Sequence, residues 1–270
     1  MTPLAPMPPA RRVALPGGGW LNLHEQAGEG PTLLFLHGFT DCAESFRLML
    51  PHLAGCHVVL PDLRGHGGSF RGPIPSLATL AGDIEALVAA LGLRRPVVTG
   101  HSMGALVAVT LAARGKVDLL RLVTLSGSLR PDGPALQALA AQFAGLPSPL
   151  AMDHPFLDEW YACSRPVAPA FLEGLRRNCV AMRREDWRDC LAMLARADLT
   201  AEAGAVRLPV LAISGAEDMI FPAGHHRHLA RALRPERDLV LEGVGHNPHW
   251  EKPAQIAALV RDFVGSVAAG

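Results

Sequence analysis

The sequence predicts an α/β domain: a mostly parallel sheet with helices on both faces and a helical insertion in the second half of the chain. Three observations lead there. Short apolar runs of strand length alternate with longer stretches whose apolar residues recur at helical spacing, the pattern of parallel strands buried on both faces. The alternation stops after Ser126-Gly127-Ser128 and resumes near residue 209. The 270 residues are enough for one such domain with an insertion, burying roughly three quarters of the surface of the unfolded chain.

Each element follows from its local pattern. Residues 1–9 are Pro-rich and read as a short disordered tail; the pair Arg11-Arg12 follows no apolar stretch that could be a signal peptide. Segments 12–15 and 20–26, joined by Pro16-Gly17-Gly18-Gly19, predict an opening hairpin. A strand at 32–37, a helix at about 42–53 and a strand at 57–61 come next. Leu77, Leu80, Ile84, Leu87, Val88 and Leu91 share one helical face, so a long helix is expected at about 77–91. A strand at 96–100 feeds a helix at 103–113, and a strand is expected at 119–125. Residues of about 129–200 are rich in Arg, Asp and Glu and carry several aromatics and early prolines. Short helices broken by proline, and no strand of the sheet, are expected there. Core alternation returns with a strand at 209–213, a helix at about 223–233, a strand at 238–242 and a helix at about 253–264. No internal repeat interrupts this order.

Bulk properties narrow the function. Lys+Arg and Asp+Glu both number 25, so the formal net charge is zero. No basic field is available to hold nucleic acid or an anionic membrane. No apolar run approaches the ~18 residues that span a bilayer. Cys42, Cys56, Cys163, Cys179 and Cys190 are widely spaced with no CxxC pair. They suit free thiols in a reducing compartment, and a cytoplasmic location is expected. Lysine occurs only at positions 116 and 252 while Arg and Ala abound, a composition typical of a GC-rich bacterial genome.

Four motifs carry chemistry. Gly100-His101-Ser102-Met103-Gly104 directly follows the apolar run Pro96-Val97-Val98-Thr99. A serine with glycines at ±2, between a strand and a helix, fits a nucleophile elbow, a turn too tight for side chains at the glycine positions. An ordinary helix N-cap is the simpler use of such a serine. Downstream, Ser214-Gly215-Ala216-Glu217-Asp218 follows the strand 209–213, and Gly243-Val244-Gly245-His246 follows Leu239-Val240-Leu241. An acid and a histidine thus each sit just past a strand's C-terminal end, in the order Ser…Asp…His. Upstream, Leu33-Leu34-Phe35-Leu36 runs into His37-Gly38-Phe39.

In these four features and their order the chain resembles the α/β-hydrolase superfamily, from about residue 12 to 267. The resemblance implies a helical cap at 129–200, dividing the core into 1–128 and 201–270. It implies Ser102 as nucleophile, His246 as general base and then acid, and Asp218 as the carboxylate that orients it. Glu217 is the neighbouring alternative, but Gly215-x-x-Asp218-x-x-x-Pro222 matches the family's usual spacing. Relatives that draw their acid from the preceding core strand find no counterpart here, since that stretch reads Ser126-Gly127-Ser128. His249 is the rival of His246; its place beside the last helix suits a pocket or capping residue. The resemblance puts the oxyanion donors at the backbone amides of Phe39 and Met103, with both side chains lining the acyl site.

Other conspicuous residues have plainer readings. His225, His226 and His228 follow Pro222 at a helix start without a metal-binding motif, and read as a solvated turn. Asp62-Leu63-Arg64-Gly65-His66-Gly67 matches a family loop whose role is to hold its own fold. Arg176, Arg177, Arg183 and Arg184 are interleaved with acids and read as exposed, ion-paired helix faces. In the cap, Phe143, Met152, Phe156, Trp160 and Trp187 suit either a pocket or cap core; Trp160 and Trp187 are taken as substrate-binding. The expected activity is hydrolysis of a carboxylic ester, thioester or lactone through an acyl-serine, acting on a small-molecule acyl substrate without metal or organic cofactor. Carbon–carbon bond hydrolases and perhydrolases share the triad, and a hydrolase-fold ligand receptor is the non-enzymatic alternative. Epoxide hydrolases and haloalkane dehalogenases place aspartate where Ser102 stands.

Overall fold

A computed structural model describes residues 4–131 and 133–265. Residues 1–3 of the expected tail and residue 267, the end of the resemblance, lie outside them. The strands are β1 Ala10–Ala14 and β2 Trp20–Gln26, β3 Thr32–Leu36 and β4 His57–Pro61, β5 Val97–His101 and β6 Arg121–Leu125, then β7 Val210–Gly215 and β8 Arg237–Leu241. They form one sheet in the order β1-β2-β4-β3-β5-β6-β7-β8. The β1–β2 and β2–β4 pairs are antiparallel and the others parallel.

Both faces of β3 to β7 are buried, which is why these strands read as apolar runs, whereas the parallel edge strand β8 is partly exposed. Alternate residues serve opposite sides. Leu33, Phe35, Val123 and Ile213 pack with Phe46 and Phe263, whereas Leu34, Leu36, Val98 and Leu122 pack with Leu106 and Ile84. Helices α1 Leu77–Leu91 and α2 Met103–Arg114 lie on the second side. The Ser76 hydroxyl caps α1 by accepting the Thr79 N–H at 3.2 Å, and Gly92, at φ 61, ends it.

Between β6 and β7 the chain forms α3 Pro134–Gly145, α4 Phe156–Trp160, α5 Pro169–Ala181, α6 Arg184–Ala195 and α7 Thr200–Ala205. No strand occurs there among the described residues. After β7 come α8 Ala223–Leu233, the short α9 Pro248–Glu251 and α10 Pro253–Gly265.

Two expectations need correction. The helix expected at 42–53 is a 3₁₀ helix, Ala43–His52, with Pro51 inside it and so without that N–H to donate. The segment expected to be a disordered tail packs on the domain from residue 4 onward. Leu4 and Met7 rest against the core. The Pro8 carbonyl accepts from His24 Nδ1 at 2.6 Å, and the Ala5 carbonyl accepts from Arg47 Nε at 2.5 Å.

β3 and β5 are neighbours because the chain passes from β3 to β4 on one side and then returns to the other. Open α/β sheets hold ligands beyond the strand C-termini at such a reversal. Here those ends carry the loop from His37 to Asp41 and the turn at Ser102.

Candidate active site

Ser102 sits between β5 and α2 at φ 51 and ψ −117, a backbone region that side-chain-bearing residues rarely occupy. The flanking glycines make the turn possible. A Cβ on Gly100 would overlap the Gly104 carbonyl, and one on Gly104 would overlap the Leu36 carbonyl of the neighbouring strand. The Ser102 N–H is held by the Leu125 carbonyl at 3.0 Å. The hydroxyl makes no capping bond to α2; it lies 2.9 Å from His246 Nε2.

His246 is carried on the loop after β8, and its Nδ1 lies 2.9 and 2.8 Å from the two carboxylate oxygens of Asp218. Asp218 Oδ1 also accepts the Ile220 and Phe221 N–H groups at 2.9 and 2.8 Å. Burial raises the Asp218 pKa, but the His246 charge and these hydrogen bonds outweigh it and hold the carboxyl below the ordinary range. Gly215 lets the two loops meet, because a Cβ there would overlap the Val244 and Gly245 carbonyls. The Ala216 and Glu217 N–H groups then bond across to Leu241 and Val244 at 3.0 and 2.9 Å. Glu217 is exposed beside Asp218 and makes no contact with the imidazole.

The loop after β3 faces the serine. His37 spans it, donating from Nδ1 to the Gly38 carbonyl at 2.9 Å and accepting the Leu63 N–H on Nε2 at 2.9 Å. Burial lowers its pKa to about 4, so it is neutral. Gly38 is needed because a Cβ would press on His101 and Ser102. The Phe39 N–H has no hydrogen-bond acceptor among the described residues. Met103 N–H opens α2, where the first amides of a helix lack intrahelical partners. Thr40 is fully buried at φ 65, an unusual conformation for a β-branched residue. Its hydroxyl accepts the Trp160 indole N–H at 2.8 Å.

Behind the site lies a buried polar group. Ser45 Oγ is 3.1 Å from Asp41 Oδ2 and 2.9 Å from His249 Nε2, and it also receives the Trp250 N–H at 3.0 Å. His101 donates from Nε2 to the His246 carbonyl at 3.0 Å, and its ring lies tilted against that of His249 with 4.4 Å between centroids. Burial drops the His101 pKa to about 3 and that of His249 well below its usual value. Burial also lifts the Asp41 carboxyl to about 7, against the pull of Ser45 and His246.

A cavity of about 390 Å³ opens over Ser102 and His246, walled by Phe39, Trp160, Tyr161, Leu194, Ile220 and Phe221. Asp41, Glu159 and Glu217 are its acidic lining, and no Lys or Arg lines it among the described residues. Trp160 lines this cavity. Trp187 does not: it is 2 % exposed, edge-on to Phe143 at 5.4 Å, and absent from this cavity. The Met103 side chain is likewise fully buried in the core, so only its backbone faces the serine. His249 lies behind the pocket, buried against Ser45 and Phe46.

The histidines of α8 are not a solvated turn. His226 is buried and bonded to Asp238 at 2.6 Å, and His225 Nδ1 meets Ser128 Oγ at 2.9 Å. No cluster that could hold a metal occurs among the described residues. Asp62 does hold its loop, accepting from Ala43, Asn22 and Gly68 at 2.7, 2.8 and 2.8 Å. Of the arginine pairs, Arg183 grips a buried acid, Asp186, at 2.8 Å, and is no simple surface pair. The sequence reading passed over Thr40, Asp41 and Tyr161. Thr40 and Asp41 directly follow His37-Gly38-Phe39, and that adjacency was the available signal.

The α/β hydrolase family profile matches residues 33–259, and the chain belongs to that family. An uncharacterised protein of Mycobacterium tuberculosis is 31 % identical over 298 residues, spanning 95 % of this chain and 83 % of that protein. The 2-succinyl-6-hydroxy-2,4-cyclohexadiene-1-carboxylate synthase of Salmonella typhimurium is 26 % identical over 248 residues, spanning 87 % and 95 %. Among solved structures, a hydrolase from Pseudomonas aeruginosa superposes with TM-score 0.82 at 27 % identity, covering 95 % of this chain and 98 % of its own. A thermophilic esterase from Thermogutta terrifontis gives 0.80 at 25 % identity, covering 96 % and 99 %. No helix among the described residues is long and apolar enough to cross a membrane.

Proposed function

We propose that this α/β hydrolase cleaves a carboxylic ester, thioester or lactone through an acyl-serine intermediate. The observation that carries the reading is the hydrogen-bonded line Asp218–His246–Ser102, with the serine on a strained turn beneath a cavity. Neutral His246 takes the Ser102 proton as Oγ attacks the carbonyl carbon. The Phe39 and Met103 amides receive the charge that gathers on the carbonyl oxygen, and being fixed in advance they need no reorganisation. His246 then gives the proton to the departing oxygen or sulfur. Water, activated by the same imidazole, releases the acid and restores the serine. Asp218 keeps the proton on Nδ1 and steadies the imidazolium that forms. Segment 129–200 serves as the lid.

The lining argues for an uncharged, largely apolar substrate. A carbon–carbon hydrolase acting on a dienoate needs a cation for the carboxylate, and no described lining residue supplies one, so the ester reading is preferred. The test is turnover of p-nitrophenyl esters of graded chain length, with fluorophosphonate labelling mapped by mass spectrometry. Turnover, labelling at Ser102 and a loss in kcat of about 10⁴ to 10⁶ in Ser102→Ala are expected. Labelling with no turnover of any acyl substrate would return the chain to the receptor reading.

A further inference from the structure

A second cavity, of about 370 Å³, adjoins the first. The two share the side chains of Leu136, Leu139, Met219, Ile220 and Phe221, which therefore form the partition between them. Beyond the partition the chamber is walled chiefly by α3, including Ala138 and Gln142, and no charged Asp, Glu, Lys or Arg lines it among the described residues.

The position of His246 decides which half of an ester belongs there; this step rests on the ester-hydrolase reading. The departing oxygen receives its proton from His246 Nε2, so the alcohol half must leave the scissile carbon on the imidazole's side. The carbonyl oxygen points the other way, to the Phe39 and Met103 amides. Phe221 flanks the imidazole edge-to-face with 5.4 Å between ring centroids, and Phe221 belongs to the partition. Phe39 and Trp160, 6.2 Å apart, line the first cavity and not the second. A second observation agrees. Met219, at the lip common to both cavities, is 81 % exposed, a large apolar side chain standing in water. An apolar ligand passing that lip would cover it, and its flexible thioether adapts to varied shapes.

We propose that the second chamber is the alcohol subsite of this enzyme, and that its substrates are esters of medium-chain or aryl alcohols. The acyl half stays against Phe39 and Trp160, and the alcohol crosses Phe221 and Ile220 to lie along α3. Selectivity for the two halves is thereby assigned to different walls.

The experiment compares two series by pH-stat on the full chain. One is acetate esters from ethyl to octyl; the other is ethyl esters from acetate to octanoate. In the wild type each added alcohol methylene raises kcat/KM by about fourfold until the chamber is filled. Ala138→Phe, on the exposed face of α3, fills the chamber. It should lower kcat/KM for hexyl acetate by about tenfold or more, a loss at least several times larger than any seen for ethyl acetate or along the acyl series. Ala138→Leu should give a smaller loss in the same direction. A measurement needing no variant is competitive inhibition by 1-hexanol, expected to be stronger than by 1-propanol.

Loss along the acyl series with the alcohol series untouched would assign the chamber to the acyl half and overturn the proposal. An alcohol series that is flat in the wild type and in both variants would remove the chamber from the substrate site. If no ester of either series is turned over and no serine is labelled, the hydrolase reading fails first, and the subsite falls with it.

Discussion

Asp218→Asn tests how the acid works, because the surrounding donors dictate how an amide must sit there. Oδ1 accepts two backbone N–H groups, from Ile220 and Phe221 at 2.9 and 2.8 Å. An asparagine that put its NH₂ at this position would face donor against donor twice, each buried mismatch costing about 1–3 kcal/mol. The amide oxygen therefore takes the Oδ1 place and the NH₂ takes that of Oδ2, 2.8 Å from His246 Nδ1. The NH₂ favours the tautomer in which Nδ1 accepts over the one that donates to the amide oxygen 2.9 Å away, and the favoured form moves the ring proton to Nε2, where it points at Ser102 Oγ only 2.9 Å away. That nitrogen can no longer receive the serine proton. A wrong tautomer of this kind lowers kcat by about 10⁴, equivalent to about 5.4 kcal/mol of barrier. The assay is kcat/KM on p-nitrophenyl butyrate together with the rate of fluorophosphonate labelling, and both should fall alike while thermal melting stays near that of the wild type. A loss of less than about tenfold in a folded variant would refute the tautomer argument. A larger loss in Glu217→Gln would transfer the role to the neighbouring acid.

Four further outcomes are expected. Trp160→Ala should change which acyl groups are accepted, whereas Trp187→Ala should leave the substrate profile alone and cost about 3–5 kcal/mol in denaturant unfolding; the reverse pattern would contradict their placement. Thr40→Val strands the Trp160 indole N–H and should cost about 1–3 kcal/mol along with kcat, while Thr40→Ser, which keeps the acceptor, should retain both; equal losses in the two variants would refute the hydrogen bond's importance. Asp41 keeps its proton in the fold up to about pH 7 but ionises near 4 when unfolded. The folded state thus binds more protons in between and loses stability as pH rises through that window. Asp41→Asn should raise Tm by on the order of 5 °C at pH 8 and little at pH 4, and an equal shift at both would exclude the buried-acid account. Burial holds the pKa of His37 to about 4, those of His66 and His101 to about 3, and that of His249 below its usual value. Unfolded histidines protonate near 6.5, so stability should fall below that pH by about 1.4 kcal/mol per pH unit for each; urea midpoints that stay level between pH 6.5 and 5 would rule this out.

The parallel sheet was readable because β3 to β7, covered on both faces, carry apolar runs, and α1 because Leu77 to Leu91 keep one period over four turns. Ser102, Asp218 and His246 were readable because each follows a strand in a turn whose glycines have steric reasons that local sequence displays. What failed to show was long-range. Trp160 and Trp187 look alike in composition, and only the packing of α3, α4 and α6 sends one to the cavity and the other into the core. The same holds for residues 4–9, whose partners are His24 and Arg47. The Asp41–Ser45–His249 group joins positions about two hundred residues apart, and no local pattern announces it. The Met103 side chain misled because its amide and its side chain serve different places.

The bond from Trp160 to Thr40 has a consequence for chimeras. Exchanging the inserted helices between hydrolases is an obvious way to redesign selectivity, on the premise that a lid only shapes a pocket. Here α4 also props a left-handed threonine next to Phe39, whose own ring is packed 5.0 Å from Phe143 of α3. A foreign insert that lacks an indole donor at that spot would loosen the turn beside the serine, and its failure would pass for a poor fit to substrate. A graft designed for this chain has to carry the Trp160 donor across, or rewrite positions 39 and 40 to suit the newcomer.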